Sequence, residues 1–279
     1  KLNGFFGDEA VLGSYLIRLL PLLISLYLFL FNSKKNNLFL YLIFLLLFLI
    51  IFLSGSRSSL ALLFIFITIS ILLFNRFRKK LITGLILIII SIGILSKFND
   101  KINHSIYYNL FDPINTIFFE KKQDRSDNVK YKKIIIFTKV YHSHYETAYN
   151  MFSKNKLFGV GNKMYRKLCQ LDEYYVNEFS CTTHPHNFYM QILAENGIIG
   201  FMFIFLLFIY ISFIIFREIY FRNFKKIQKI NDNALLVMVG LFLNLWPIVP
   251  SGNIYNNWLS ILIYLPIGFY FYFMNKKYD

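Results

Sequence analysis

The sequence predicts an all-α integral membrane protein of about seven transmembrane helices, with one large extracytoplasmic loop between the fourth and fifth. Three observations carry this expectation. Hydrophobic residues make up 56% of the 279-residue chain and charged residues only 16%, against about 45–50% and about 25% in an average soluble domain. The apolar residues fall in runs rather than in an amphipathic spread. The connections between the runs alternate between basic and nearly uncharged.

A bilayer-spanning helix needs about 20 mostly apolar residues, with about 17 as a lower limit. Seven stretches approach or meet that length: Val11–Phe31, Leu38–Leu53, Ser58–Phe74, Leu81–Ser96, Ile198–Phe216, Ala234–Val249 and Trp258–Met274. Lys34 and Lys35 follow the first. Arg76, Arg78, Lys79 and Lys80 follow the third. Arg217, Arg222, Lys225, Lys226 and Lys229 follow the fifth, and Lys276 and Lys277 end the chain. The intervening short connections, 54–57 and 250–257, carry only Arg57. Basic connections stay cytoplasmic. The N-terminal stretch, residues 54–57, the loop 97–197 and residues 250–257 are then expected outside. The chain accordingly divides into residues 1–96 with four spans, 97–197 as an extracytoplasmic loop domain that carries the His-Asn segment, and 198–279 with three spans.

The net charge is +15. Because the basic residues flank apolar spans, the charge reads as topology control; a second reading is a basic extracytoplasmic loop that attracts pyrophosphate or lipid head groups. The partner it implies is a lipid bilayer, with no nucleic acid. The chain starts at Lys1, and Lys1–Glu9 has no apolar core of a cleavable signal. A piece of a longer protein is therefore expected.

Within the long loop, Tyr131–Val140 and Tyr145–Phe152 are expected as short helices and Gly159-Val-Gly161 as a turn. Phe188–Glu195 has a helical pattern that places Asn187, Gln191 and Glu195 one turn apart on one face. Cys169 and Cys181 are the two cysteines of the chain. In an oxidising compartment they are expected to form a disulfide. Closing a loop of about a dozen residues, it would contribute about 3 kcal/mol.

Few residues outside the charged connections can carry chemistry. Arg18 is the one charge inside a predicted span, about seven residues in, and an embedded charge commonly faces an internal cavity. Arg57, in Ser54-Gly-Ser-Arg-Ser-Ser-Leu60, opens the third span, and its guanidinium can grip phosphate oxygens bidentately. His184-Pro-His186-Asn187 closes the long loop, and a histidine can act as a general base near neutral pH. A metal site is the alternative, with His142, His144, Cys169 and Cys181 to complete the ligand set. No acidic cluster accompanies these residues, and neither a phosphate-binding glycine loop nor Asp-x-Asp is present. No metal and no cofactor is therefore expected. By the charge rule Arg18, Arg57, Arg125, His144, Arg166, His184, His186 and Glu195 all share one membrane side, and such a set suits a substrate with a pyrophosphate and a sugar.

The stretch His184-Pro-His-Asn-Phe-Tyr-Met-Gln-Ile-Leu-Ala-Glu-Asn-Gly-Ile-Ile-Gly200 resembles the signature of the bacterial O-antigen ligase/polymerase superfamily, with His186, Asn187, Gly197 and Gly200 at its positions. Leu157-Phe-Gly-Val-Gly161 resembles the glycine turn that precedes it. Residues 54–60 resemble the family's Arg-x-x-Leu motif, and residues 4–16 a segment further upstream. The resemblance implies the C-terminal portion of a multi-pass glycosyltransferase of the bacterial inner membrane, active on its periplasmic face. Its donor would be an undecaprenyl-diphosphate-linked glycan, and its acceptor a growing glycan, lipid A-core or a protein hydroxyl.

Within that resemblance His186 is expected as the base, and Arg57 and Arg18 on the diphosphate. His184 and Asn187 would orient the base, and Arg125 or Arg166 is expected as the family's loop arginine. The alternatives are a lipid-linked oligosaccharide flippase or transporter, or a protein O-oligosaccharyltransferase within the same superfamily.

Overall fold

The computed structural model describes residues 11–31, 37–54, 56–98 and 139–275, and the regular structure of these residues is helical, without strands. The helices are α1 (Leu12–Leu30), α2 (Asn37–Leu53), α3 (Arg57–Leu73), α4 (Asn75–Phe98), α5 (Lys139–Lys154), α6 (Tyr165–Leu168), α7 (Phe188–Tyr220), α8 (Asp232–Asn244) and α9 (Asn257–Asn275), with one π turn at Phe221–Lys225. Among the described residues Leu12–Leu30, Phe188–Lys225 and Asn257–Asn275 are long and apolar enough to cross a membrane. Leu42–Leu53, Arg57–Leu73 and Asp232–Asn244 are shorter apolar helices.

The chain divides into two compact units. A helical unit holds Lys1–Ser91 and Met202–Asp279, and a loop unit holds Ile92–Phe201.

In the helical unit α8 is the core. Every residue from Asn233 to Asn244 is buried, as befits a helix that is apolar around its whole circumference. Gly240 lets α1 approach it closely: a Cβ there would stand 3.3 Å from the Pro21 ring. Asn231 caps its start, Oδ1 accepting from the Ala234 N–H at 2.8 Å. At its end Arg18 Nη1 donates to the carbonyls of Asn244 (3.0 Å) and Leu243 (3.4 Å).

The expectation of a helix over Ala234–Val249 is thus corrected to an end at Asn244. Pro247 disfavours helix at the residue before it, and the guanidinium takes up the carbonyls that would otherwise need a further turn. In α9, Pro266 lacks the N–H that would bond to the Leu262 carbonyl. Asn244 Nδ2 donates to that carbonyl instead.

Two ends of this unit are distinguishable. At one, the start of α1 meets Ser54 and the start of α3: a Cβ on Gly13 would lie 2.3 Å from Ser54 Oγ and 3.1 Å from Ser59 Oγ. The start of α9 joins there through Tyr15 and Trp258, whose rings are 6.3 Å apart. At the other, Phe29 packs on Phe273 at 5.2 Å, and the last carbonyls of α3 are captured by side chains. Ile71 accepts from Arg78 Nε (2.8 Å), Leu72 from Asn223 Nδ2 (2.7 Å) and Leu73 from Arg222 Nη1 (3.3 Å).

Arg222 also pairs with Glu218 (3.3 Å) and Asp232 (2.6 Å). Helix α7 runs past the expected end at Phe216, and Glu218 on it is fully buried. Arg18 is therefore not the one charge within a long apolar helix, which corrects that expectation.

The loop unit packs α5, α6 and the start of α7 around Ala148, Met151, Tyr165, Cys169, Tyr174 and Ala194. Of the two short helices expected, residues 131–138 of the first, Tyr131–Val140, lie outside the described residues, and the second, Tyr145–Phe152, lies within the longer helix Lys139–Lys154. A single amphipathic stripe (Tyr141, His144, Tyr145, Ala148, Met151) runs through it. Cys169 and Cys181 are joined by a disulfide. Helix α7 is broken at Gly197 (φ 65°, ψ −163°).

The break frees the N–H groups of Ile198 and Ile199 and the carbonyls of Ala194 and Glu195, which an unbroken helix would pair with one another. The turn at 156–161 satisfies all four. Ile198 N donates to Lys156 O (2.8 Å) and Ile199 N to Leu157 O (3.5 Å). Val160 N donates to Ala194 O and Gly161 N to Glu195 O, both at 2.9 Å. Only glycines permit the approach: a Cβ on Gly159 would stand 2.4 Å from the Glu195 carbonyl carbon, and one on Gly197 2.3 Å from Leu157 O, both at positive φ.

Candidate functional site

The His184–Asn187 segment enters α7 through a defined cap. Asn187 Oδ1 accepts from the N–H groups of Tyr189 (3.0 Å) and Met190 (3.2 Å), so its side chain closes the helix start. Its neighbour His186 lies at φ 54°, a left-handed conformation that a non-glycine residue adopts at a cost of about 1–3 kcal/mol. His184 hydrogen-bonds Thr183 Oγ1 through Nδ1 (2.9 Å).

Three rings gather around His186. Its centroid is 4.4 Å from His184, 5.3 Å from His144 and 5.6 Å from Tyr141. His144 and Tyr141 come from α5, so the pairing brings together residues about forty positions apart.

Several bonds hold this arrangement. The buried Tyr165 hydroxyl donates to Ser180 O (2.8 Å) and His144 O (3.3 Å). Ser180 Oγ accepts from Val176 N and Asn177 N, both at 2.9 Å, and Asn177 Nδ2 donates to Ser143 Oγ on α5 (2.8 Å). The disulfide ties Cys181, three residues before His184, to Cys169 in the core. The face expected at Asn187, Gln191 and Glu195 has structural partners: Gln191 Nε2 donates to Glu195 Oε2 (3.1 Å), and Glu195 Oε1 accepts from Tyr165 N (2.9 Å).

His144 is only 4% exposed. Burial pushes its pKa down to about 4. The nearby His186 lowers it further, and a hydrogen bond to the Phe179 backbone opposes the shift. It is therefore neutral near pH 7 and adds no charge beside His186. Burial raises the Tyr165 hydroxyl, which stays a donor.

The remaining sequence-derived candidates are distributed as follows. Arg166 is exposed on α6. Arg57 is exposed at the start of α3, whose cap is Ser56 Oγ, accepting from Ser59 N at 3.4 Å. Arg18 lies at the same end of the helical unit and is 2% exposed, its Nε donating to Ser14 Oγ (3.3 Å) and its Nη1 to the α8 carbonyls. Arg125 lies outside the described residues.

For the metal alternative, Cys169 and Cys181 are bridged and offer no thiolate, and His142 pairs with Glu146 (3.6 Å). Among the described residues no three His, Cys, Asp or Glu side chains group as metal ligands. Tyr141 and Tyr165 escaped the sequence reading. The helical stripe on α5 that carries Tyr141 beside His144 was the available signal.

A family model described as O-antigen ligase matches residues 42–205. The match includes Arg57, the histidine segment and both glycine elements, while Arg18 precedes it. No curated protein and no solved structure matches the chain significantly.

Proposed function

This chain belongs to the O-antigen ligase family, and from that premise we propose that it transfers a glycan from an undecaprenyl-diphosphate carrier at the periplasmic face of the bacterial inner membrane. The acceptor is a hydroxyl of a growing glycan, of lipid A-core or of a protein. His186 takes the proton from that hydroxyl as its oxygen attacks the anomeric carbon. The lipid diphosphate leaves, and a single displacement inverts the centre. A lipid diphosphate is a good leaving group, so this reaction asks for no metal or cofactor.

Arg57 holds the diphosphate and stabilises the charge that develops on it. Its position at the exposed start of α3 adds the positive end of a helix dipole. Arg18 acts from beneath: it fixes the end of α8 beside the turn that carries Arg57. His184 orients His186, Asn187 fixes the backbone between them, and Arg125 or Arg166 supplies further positive charge to the donor.

The observation that carries the reading is the backbone of His186. A non-glycine residue at φ 54°, between a buried proline and a capping asparagine, is a strained position held by its surroundings, and such strain concentrates at functional sites. The grouping of Arg18 and Arg57 at one end of the helical unit, with Arg78 and Arg222 at the other, supports the sidedness drawn from charge.

The test is complementation in hosts lacking either a ligase or a polymerase, with the full-length protein and its His186→Asn variant, since asparagine tolerates the left-handed backbone. Surface glycan is scored by gel at matched membrane expression. Rescue by the parent and not by the variant is expected. Equal rescue by the variant would remove His186 as the base.

A further inference from the structure

Lys156, Leu157 and Phe158 form the outer bend of the turn that repairs the break in α7. The backbone bonds from Ile198 to Lys156 and from Ile199 to Leu157 fix this bend beside the first residues after Gly197. From Ile198 to Tyr220 the helix has 23 residues, about 34 Å at 1.5 Å per residue, against a hydrocarbon core of about 30 Å. A span of that length would put Gly197 at the edge of the membrane. The bend is held at that level by covalent geometry and four hydrogen bonds.

Its side chains suit that level. Phe158 is 73% exposed and Leu157 61%, and Lys156 beside them is exposed. They are buried in no core, although the turn is rigid at Gly159. Ile199, two residues past the break, is likewise exposed, so the apolar surface of the bend continues onto the start of the helix. A basic residue next to an exposed aliphatic–aromatic pair matches the boundary between phosphate head groups and acyl chains.

We propose that Leu157 and Phe158 insert into the outer boundary of the bilayer, with Lys156 among the head groups, so that this turn is a lipid anchor of the loop unit. The anchor fixes the height of the helix start that carries His186. The glycine lock transmits it: the N–H groups of Val160 and Gly161 donate to the carbonyls of Ala194 and Glu195, two turns along the helix from Asn187. The inference rests on the membrane-spanning character of α7 and not on the chemistry assigned to His186.

The test is nitroxide labelling of the full-length protein in phospholipid vesicles. The variants are Phe158→Cys and, separately, Leu157→Cys, with Phe203→Cys on the helix as the lipid reference. Both bend positions are exposed, so substitution removes no core contact, and two positions guard against a local artefact. Power saturation with oxygen and with a water-soluble nickel chelate reads the depth. The expected result is that labels at 157 and 158 collide with oxygen in preference to the nickel chelate, as at 203. Free access of the nickel chelate to both labels would overturn the proposal by placing the bend in water. Shielding from both reagents would also overturn it, by assigning the surface to a protein partner or a second copy.

Discussion

The two units place their polar side chains differently. In the helical unit Arg18, Arg78 and Arg222 all donate to carbonyls at helix ends, and Asn244 repairs the gap left by Pro266. In the loop unit backbone groups repair a broken helix, and His144, His184 and His186 gather ring to ring. Where water is scarce an unpaired carbonyl costs several kcal/mol, so buried cations go to the backbone. Where a glycine turn satisfies the backbone, side chains are left for chemistry. The comparison also separates Arg18 from Arg57, which share one end of one unit: the first is buried against carbonyls and the second exposed at a helix start.

The largest effect tests the loop side. His186→Asn is expected to lower transfer by a factor of about 10² to 10⁴, the usual range for a lost general base, with thermal stability in detergent close to that of the parent. Next is the lock. Gly197→Ala places a methyl 2.3 Å from a carbonyl at positive φ. It is expected to cost about 2–3 kcal/mol and to open the turn, read as faster hydrogen exchange at Val160 and Gly161.

Substituting the two arginines sharpens the comparison within the helical unit. Arg18→Met should reduce folded yield, because the α8 carbonyls lose their donor. Arg57→Met should leave stability within about 0.5 kcal/mol, as surface substitutions do, and raise KM for the lipid donor. Equal effects on folding would erase the distinction drawn here.

A pH effect follows from His144. Its pKa is depressed to about 4 in the folded protein, against about 6.5 unfolded. The unfolded state therefore takes up its proton first as pH falls. The contribution to stability is complete above about pH 6.5 and is lost progressively toward pH 4. The thermal midpoint of the parent should fall over that range more steeply than that of His144→Phe.

Much of this was legible in the sequence because hydrophobic runs and glycine positions are local signals. The apolar helices, the turn at Gly159–Gly161, and the helix following Asn187 needed only composition and spacing. The premature end of α8 was not legible. It depends on Arg18, more than two hundred residues away, and the apolar Leu245–Val249 continues the pattern regardless. Glu218 was missed because Arg217 ends the apolar run before it, whereas Arg222 and Asp232 allow Glu218 to be buried. The basic connections were read from their charge pattern, which does not show that Arg78 and Arg222 also close α3. For the site, His184, His186 and Asn187 stood out by motif. The Tyr141 and His144 rings required the fold that sets α5 against the loop.

The most direct test of the central claim is single-turnover transfer by purified full-length protein from a synthetic lipid-diphosphate glycan, with donor binding measured in parallel. For His186→Asn the account predicts donor affinity near that of the parent and transfer reduced by at least about a hundredfold. Transfer at the parent rate with donor bound normally would contradict it.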